Sequence, residues 1–293
     1  MIDISIDATG ELRAGQRDAK PSVYLDHWAL LDFSEDERLA DRLTTALETH
    51  NGTLMLSWLN LGEYSKITNQ EQARKAEALV EKNIPRLYFI EIEPFRVIDR
   101  ENKLLAGGSP EPPHGDGSLL RELVHLKPAS TTSVYPFTAH NLFTYTQDQE
   151  LAGKFGDLAD VVIDRIAIMR NEVATDQVFE SMVRRLPSGP QFQHGTRYII
   201  REFLRGLLLN EDMKITRNHA VDLLHAVVPV AYCDFVLLDR HWETQVAQMR
   251  ARLTAAKMAF PIANVYSRKA NGIERFLSDL ESTVRSRNAP SSG

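Results

Sequence analysis

Residues 222–242 read DLLHAVVPVAYCDFVLLDRHW, and this stretch decides the fold. It holds a helix-length apolar segment, then the short run FVLL, then Asp239 and the start of a second helical segment. Near the other end of the chain, VYLD at 23–26 and TLML at 53–56 each have the pattern of a buried strand that leads into a helix. Strands that alternate with helices in this way indicate a parallel sheet covered by helices.

The pattern therefore predicts an α/β fold, a three-layer α/β/α arrangement around a central and mostly parallel sheet. Two separate blocks, 22–95 and 215–290, supply this α/β domain. Residues 96–214 are predicted to be a mostly helical insertion between the blocks. The polar stretch 1–20 is expected to be a loose lead-in.

Composition narrows the class of protein. The chain has 293 residues, 43% apolar and 25% charged, with a single cysteine, which is typical of a globular protein in a reducing cytoplasm. Its first residues lack the basic and apolar regions of a signal peptide, and its longest apolar stretch is interrupted by polar residues, so we expect a cytoplasmic protein with no membrane partner. The net charge of −6 argues against a general nucleic-acid coating protein but not against a nuclease, because bound metal neutralises acidic residues.

Acidic residues stand next to the predicted strands. Asp26 closes the first strand, Glu63 lies in the helix after the second, Asp222 lies in a later helix, and Asp234 and Asp239 flank FVLL. A carboxylate at the end of a buried strand is costly unless its charge is compensated. Hard cations such as Mg²⁺ and Mn²⁺ prefer oxygen ligands. We therefore predict a metal site at the carboxyl edge of the sheet, with Asp234 as an auxiliary member that is an extra ligand or a partner of the ligands.

The ordered set of acids resembles the PIN-domain nuclease family. The resemblance is carried by YLDHWALL at 24–31, LSWLNLGEY at 56–64, VDLLHAVVPVAYCDF at 221–235 and VLLDRHW at 236–242. In that family an Asp closes the first strand, a second acid lies on the next helix, a third lies early in a later helix, and a fourth follows the next strand. The matching positions here, which the resemblance makes catalytic, are Asp26, Glu63, Asp222 and Asp239.

The resemblance implies a metal-dependent endoribonuclease that hydrolyses phosphodiester bonds with Mg²⁺ or Mn²⁺ and leaves 5′-phosphate and 3′-hydroxyl ends. It also implies a bacterial toxin or defence effector, an inhibitor or antitoxin protein as partner, and a homodimer. RNA is the expected substrate, and DNA is the alternative. The segment 96–214 departs from the usual small size of the family, so the substrate class and the partner stay open.

Each acid also has a structural interpretation. Asp26 and Asp239 stand where a helix N-cap is expected, Glu63 fits an exposed helix face, and Asp234 fits a turn. Asp222 is harder to explain without a function, because it lies on an otherwise apolar helix. A PIN-like module that has lost catalysis and only binds nucleic acid or a protein partner is the alternative to the nuclease.

Histidines beside Asp222 and a row of arginines in another predicted helix are further candidates. His219 and His225 share a helical face with Asp222, so a zinc or iron hydrolase site is a third hypothesis; the structural interpretation makes one histidine exposed and the other a hydrogen-bonded core residue. In a predicted helix over 194–209, arginines recur every fourth residue beside the apolar face, where they would grip phosphates or form a solvated face. They are Arg197, Arg201 and Arg205.

Overall fold

Seven strands are present in the computed structural model, which describes residues 1–6, 12–108, 112–125, 138–145, 149–188, 195–210, 212–259 and 261–288. They are β1 (Ile2–Ile6), β2 (Leu12–Gln16), β3 (Ser22–Leu25), β4 (Thr53–Leu56), β5 (Leu87–Phe89), β6 (Phe235–Leu237) and β7 (Asn264–Tyr266). β3 to β7 form one sheet in the order β5-β4-β3-β6-β7, and every neighbouring pair is parallel. The prediction of a parallel sheet is confirmed.

Helices follow the strands along the chain. They are α1 (His27–Glu35), α2 (Glu37–His50), α3 (Trp58–Tyr64), α4 (Gln70–Asn83), α5 (Pro94–Leu105), α6 (Gly117–His125), α7 (Ala139–Tyr145), α8 (Gln149–Thr175), α9 (Gln177–Arg184), α10 (Gly195–Leu208), α11 (Arg217–Tyr232), α12 (Arg240–Ala255) and α13 (Gly272–Asn288). In the described ranges, no helix has the length and apolar character needed to cross a membrane.

Helices cover both faces of the sheet, which gives the three layers that the sequence predicts. Strand residues alternate between the faces, because successive side chains of a strand point in opposite directions. On one face, Val23 and Leu25 belong to a core with α1, α2, α4 and α13. On the other face, Tyr24 belongs to a core with α8, α10, α11 and α12. All three of these β3 residues are fully buried, so the central strand has no exposed side.

The segment 96–214 takes part in both helical layers. Val162 of α8 and Phe203 of α10 lie in the same core as Tyr24, whereas Leu142 and Phe143 of α7 lie in the core on the opposite face. Its described helices therefore share their cores with the sheet, and α8 and α10 pack against α11. That this segment is an insertion into a smaller fold stays a prediction.

The first residues of the chain are not a loose lead-in. β1 and β2 form an antiparallel pair in which Ile2 is opposite Gln16. The side chain of Gln16 donates a hydrogen bond to the carbonyl of Phe89 and accepts one from its backbone N–H, both at 2.9 Å, and so joins this hairpin to β5. The expectation was wrong because the alternation of IDISI, a strand signal, carries a polar face that resembles a lead-in.

Candidate metal centre

Three side chains meet at the carboxyl edge of the sheet. Asp26 directly follows β3, Glu63 lies in the helix after the neighbouring strand β4, and His225 lies in α11, which leads into β6 on the other side of β3. One ligand atom from each of the three lies within 4.8 Å of the other two. Within the described part of the chain, this is the group of acids and histidines whose spacing suits a metal ion.

Asp26 caps helix α1 and also belongs to the group with Glu63 and His225. Its backbone N–H donates to the carbonyl of Leu237, so the chain stays attached to β6 for one residue beyond β3. Its Oδ1 accepts a hydrogen bond from the backbone N–H of His27 at 2.8 Å and caps α1. The same oxygen lies 3.8 Å from Nδ1 of His225. The capping interpretation of Asp26 is therefore correct and does not exclude the site.

Glu63 is positioned by a short, firmly capped helix. Ser57 and Asn60 form a capping box at the start of α3, with the Ser57 N–H donating to Oδ1 of Asn60 at 2.9 Å. The Glu63 side chain lies one turn farther along α3 and is 27% exposed. Its Oε2 is buried, accepts no hydrogen bond from the described residues, and lies 3.4 Å from Nε2 of His225.

His225 is the most buried member of the group, with a side chain that is 2% exposed. Its Nδ1 shares a 2.5 Å hydrogen bond with the hydroxyl of Tyr24, which points inward from β3. Its Nε2 has no hydrogen-bond partner in the part of the chain that the structure covers. A ring anchored at one nitrogen and bare at the other is the arrangement found in many histidine ligands.

Asp222 and Asp239 add negative charge to the same edge. Burial, together with the charges of Asp26 and Asp239, raises the pKa of Asp222 to about 7. Burial also raises the pKa of Asp26. The charge of His225 lowers this pKa, whereas the charges of Glu63 and Asp239 raise it. Asp239 is exposed at the start of α12, and its side chain makes no capping hydrogen bond there. Asp222 and Asp239 therefore lie near Asp26, although neither belongs to the group whose ligand atoms lie within 4.8 Å of one another.

His225 partly compensates these charges. Burial alone would lower the pKa of His225, but its pairing with Glu63 and the charge of Asp26 raise it above the usual value. Burial alone would raise the pKa of Glu63, but the pairing with His225, helped by the charges of His27 and Lys66, lowers it. An unpaired charge in this position would be costly, so the imidazole ring and the two carboxylates stabilise one another.

Asp234 does not join the cluster, so its assignment as a metal ligand is wrong. It precedes β6 and therefore lies at the amino edge of the sheet, whereas Asp239 follows β6. Its Oδ2 accepts hydrogen bonds from the backbone N–H of Ser22 at 2.8 Å and from the Ser22 hydroxyl at 3.0 Å. Its Oδ1 pairs with Lys20 at 2.8 Å. Asp234 secures the start of β3.

The two histidines that share a face of α11 with Asp222 have different partners. Nδ1 of His219 lies 3.0 Å from the Thr216 hydroxyl, and the two residues form the capping box of α11. His225 instead turns toward Asp26 and Glu63. One of the two histidines, His225, is a hydrogen-bonded core residue, as the structural interpretation expects. The same histidine also faces the two acids.

The arginine stripe of α10 lies in a different place. Arg197, Arg201 and Arg205 line an apolar groove between α5, α8, α9 and α10, and none of the cluster residues lines it. Arg201 donates to the carbonyl of Met182 at 2.7 Å, and Arg205 lies 3.4 Å from the buried carboxylate of Glu202. These contacts favour a structural role for two of the three arginines, and the prediction that they contact nucleic acid gains no support.

Tyr24 is a residue of this group that sequence reasoning missed, and His225 was considered there only with His219 and Asp222. The signal for His225 was its position one turn after Asp222 on a shared face. Tyr24 gave no signal, because an aromatic residue inside a buried strand is ordinary core. Comparisons of this chain with protein-family models, with curated proteins and with solved structures found no match.

Proposed function

We propose that this chain is a metal-dependent phosphodiesterase, an endoribonuclease of PIN-like type, with its centre at Asp26, Glu63, Asp222 and Asp239. The observation that carries the proposal is the meeting of Asp26 and Glu63 beyond the carboxyl ends of parallel strands, with Asp222 and Asp239 near enough for their charges to act on the same edge. This edge is where α/β sheets bind their ligands. Acids that repel one another and are partly buried are costly for folding, so a function is the better explanation of their placement.

The donor set suits Mg²⁺ or Mn²⁺. Carboxylate oxygens are the ligands that these cations prefer. Two buried polar atoms, Oε2 of Glu63 and Nε2 of His225, lack hydrogen-bond partners among the described residues. Buried polar atoms without partners are rare and costly. A cation held by Asp26 and Glu63 would satisfy Oε2 of Glu63 and would offset the repulsion that raises the pKa of Asp222.

Hydrolysis in this centre needs no covalent intermediate. A divalent cation, when bound, would lower the pKa of a water molecule bound to it, and its positive charge would stabilise the reacting phosphate. Among the chain's own groups, Asp222 is a carboxylate close to Asp26 and would accept a proton from an attacking water. The one cysteine, Cys233, is buried with its pKa raised well above the usual value, so it is no nucleophile.

Cleavage of labelled single-stranded RNA by the purified full chain tests the proposal. We expect Mn²⁺- or Mg²⁺-dependent cuts, no cuts with EDTA, and a loss of at least about 100-fold for Asp26→Asn, because removal of a ligand charge weakens both cation binding and its chemistry. Asp99→Asn is the matched control, since Asp99 is exposed on α5. A DNA strand of the same sequence, run in parallel, separates the two substrate classes. Cuts that survive both EDTA and Asp26→Asn would contradict the proposal.

A second candidate is the PIN-like module that binds without cutting. The observation in its favour is His225, because a protonated imidazole between Asp26 and Glu63 would hold the acids together without a metal. Calorimetry with Mn²⁺ separates the candidates: absence of binding at millimolar Mn²⁺ would support the module. A role as toxin or defence effector, an inhibitor protein as partner, and a homodimer stay predictions.

A further inference from the structure

Directional hydrogen bonds around Asn60 fix the protonation of the metal centre. Asn60 is completely buried at the start of α3. Its Oδ1 accepts from the backbone N–H of Ser57 at 2.9 Å, and its Nδ2 donates to the backbone carbonyl of Leu25 at 3.1 Å. A backbone N–H can only donate and a carbonyl can only accept. The amide of Asn60 therefore has one orientation, with Oδ1 toward Ser57.

This orientation determines the proton on Ser57. The Ser57 Oγ lies 3.0 Å from Oδ1 of Asn60, which has no proton to give, so the hydroxyl must donate to it. The same Oγ accepts from the backbone N–H of Asn60 at 3.3 Å. A serine hydroxyl has one proton, and here that proton is used. Any further partner of Ser57 Oγ must donate to it.

The next partner is the hydroxyl of Tyr24, 3.2 Å from Ser57 Oγ. Because the Ser57 proton is already used, Ser57 Oγ can only accept at this contact, so the Tyr24 hydroxyl donates its one proton to it. Its oxygen must then accept from Nδ1 of His225, 2.5 Å away. His225 therefore carries its proton on Nδ1, and in the neutral ring Nε2 is a bare lone pair.

That lone pair faces a carboxylate. Nε2 of His225 lies 3.4 Å from Oε2 of Glu63, and neither atom has a hydrogen-bond partner in the described ranges. Two lone pairs this close and this deeply buried repel each other unless a positive charge lies between them. A proton on Nε2 would meet this need in the metal-free protein, and a cation that binds both atoms would replace it.

We propose that Nε2 of His225 is a direct ligand of the cation, so that the centre is a mixed nitrogen and oxygen site with Asp26 and Glu63, selective for Mn²⁺ over Mg²⁺. Imidazole nitrogen suits first-row transition metals, whereas Mg²⁺ is served by carboxylates and water. Tyr24, through Ser57 and Asn60, acts as a positioning residue that fixes the tautomer and the ring. This inference rests on the proposed function for its cation but makes a claim about ligation alone.

Pulsed electron paramagnetic resonance of the Mn²⁺-loaded full chain tests the ligand directly. We expect a ¹⁴N hyperfine coupling from one directly bound imidazole, and its replacement by a ¹⁵N coupling when the protein is labelled with ¹⁵N-histidine. His225→Gln should remove the coupling, and His219→Gln, six residues earlier on the same helix, should keep it. The isotope experiment uses the unmodified chain, so it decides the question even if His225→Gln does not fold.

Calorimetry adds a measure of selectivity and of the positioning role. The unmodified chain should bind Mn²⁺ at least tenfold more tightly than Mg²⁺, and His225→Gln should reduce this ratio. Tyr24→Phe should weaken Mn²⁺ binding by about tenfold, as expected when the partner of a ligating histidine is lost. Mn²⁺ bound without nitrogen coupling, or no Mn²⁺ binding, would overturn the assignment. Nitrogen coupling without RNA cleavage would overturn the nuclease proposal and leave the ligand in place.

Discussion

Nε2 of His225 lies 3.4 Å from Oε2 of Glu63, although the two residues come from opposite ends of the sequence. The contact depends on the parallel sheet, which places α3 and α11 at the same edge on either side of Asp26. It brings together a base and an acid that are both largely buried and both lack hydrogen-bond partners at these atoms within the described residues.

Removal of the charge of Glu63 should weaken cation binding and RNA cleavage. We expect Glu63→Gln to weaken Mn²⁺ binding by about tenfold or more and to lower RNA cleavage at saturating RNA, because one carboxylate ligand is lost. Titration calorimetry and a cleavage time course measure the two effects. Glu71→Gln is the control, since Glu71 is a highly exposed residue of α4. Equal Mn²⁺ affinity in Glu63→Gln and the unmodified chain would refute the role of Glu63.

The raised pKa of Asp222 predicts a gain in stability for Asp222→Asn. The folded pKa of about 7 exceeds the ordinary value of 3.8, so folding favours the protonated carboxyl. Its stabilising contribution is present below pH ~4 and is lost as the pH rises through ~7. In metal-free protein at pH 8, Asp222→Asn should be more stable by about 1–3 kcal/mol, since one pKa unit is worth ~1.4 kcal/mol.

Urea unfolding of metal-free protein at pH 5 and pH 8 measures this effect. The difference between Asp222→Asn and the unmodified chain should be larger at pH 8. Addition of Mn²⁺ should stabilise the unmodified chain more than the variant, because a ligand that binds the folded state stabilises it according to its affinity. A variant that is less stable than the unmodified chain at pH 8 without metal would show that Asp222 is not held at an electrostatic cost.

Asn60→Ala should be among the more destabilising substitutions near the site. It leaves the buried carbonyl of Leu25 and the N–H of Ser57 without their partner, at a cost of about 2–4 kcal/mol. The free energy of unfolding from urea titration measures this cost, and Asn102→Ala, at an exposed position of α5, is the control. A loss below about 0.5 kcal/mol would contradict the directional chain of hydrogen bonds from Leu25 to His225.

Asp234→Asn should leave RNA cleavage unchanged. Asp234 lies at the opposite edge of the sheet, where it accepts from Ser22 and pairs with Lys20. The expected effect is a loss of stability of about 1 kcal/mol, since one hydrogen bond and a partly exposed ion pair are weakened. Cleavage rates at equal folded concentration measure the outcome. A loss of cleavage comparable to that of Asp26→Asn would return Asp234 to the site.

Local patterns predicted most of the fold because buried strands and amphipathic helices have different periods. Asp26 and Asp239 were placed correctly because residues that follow parallel strands share an edge. The strand FVLL was predicted correctly, but Asp234 was assigned to the wrong edge of the sheet. Asp234 precedes this strand and therefore lies at the amino edge, opposite the candidate site. His225 could not be assigned from sequence alone: its direction depends on how α11 packs against Tyr24, a contact between residues 201 positions apart.

The position of Mn²⁺ in crystals of the full chain tests the central claim most directly. Anomalous scattering should show a peak bonded to carboxylate oxygens of Asp26 and Glu63 and to Nε2 of His225, each at about 2.0–2.3 Å, as for first-row cations with such ligands. The same crystals of Asp26→Asn should show a weaker peak or none. A fully loaded crystal without a peak at these residues, or with its peak elsewhere, would contradict the account.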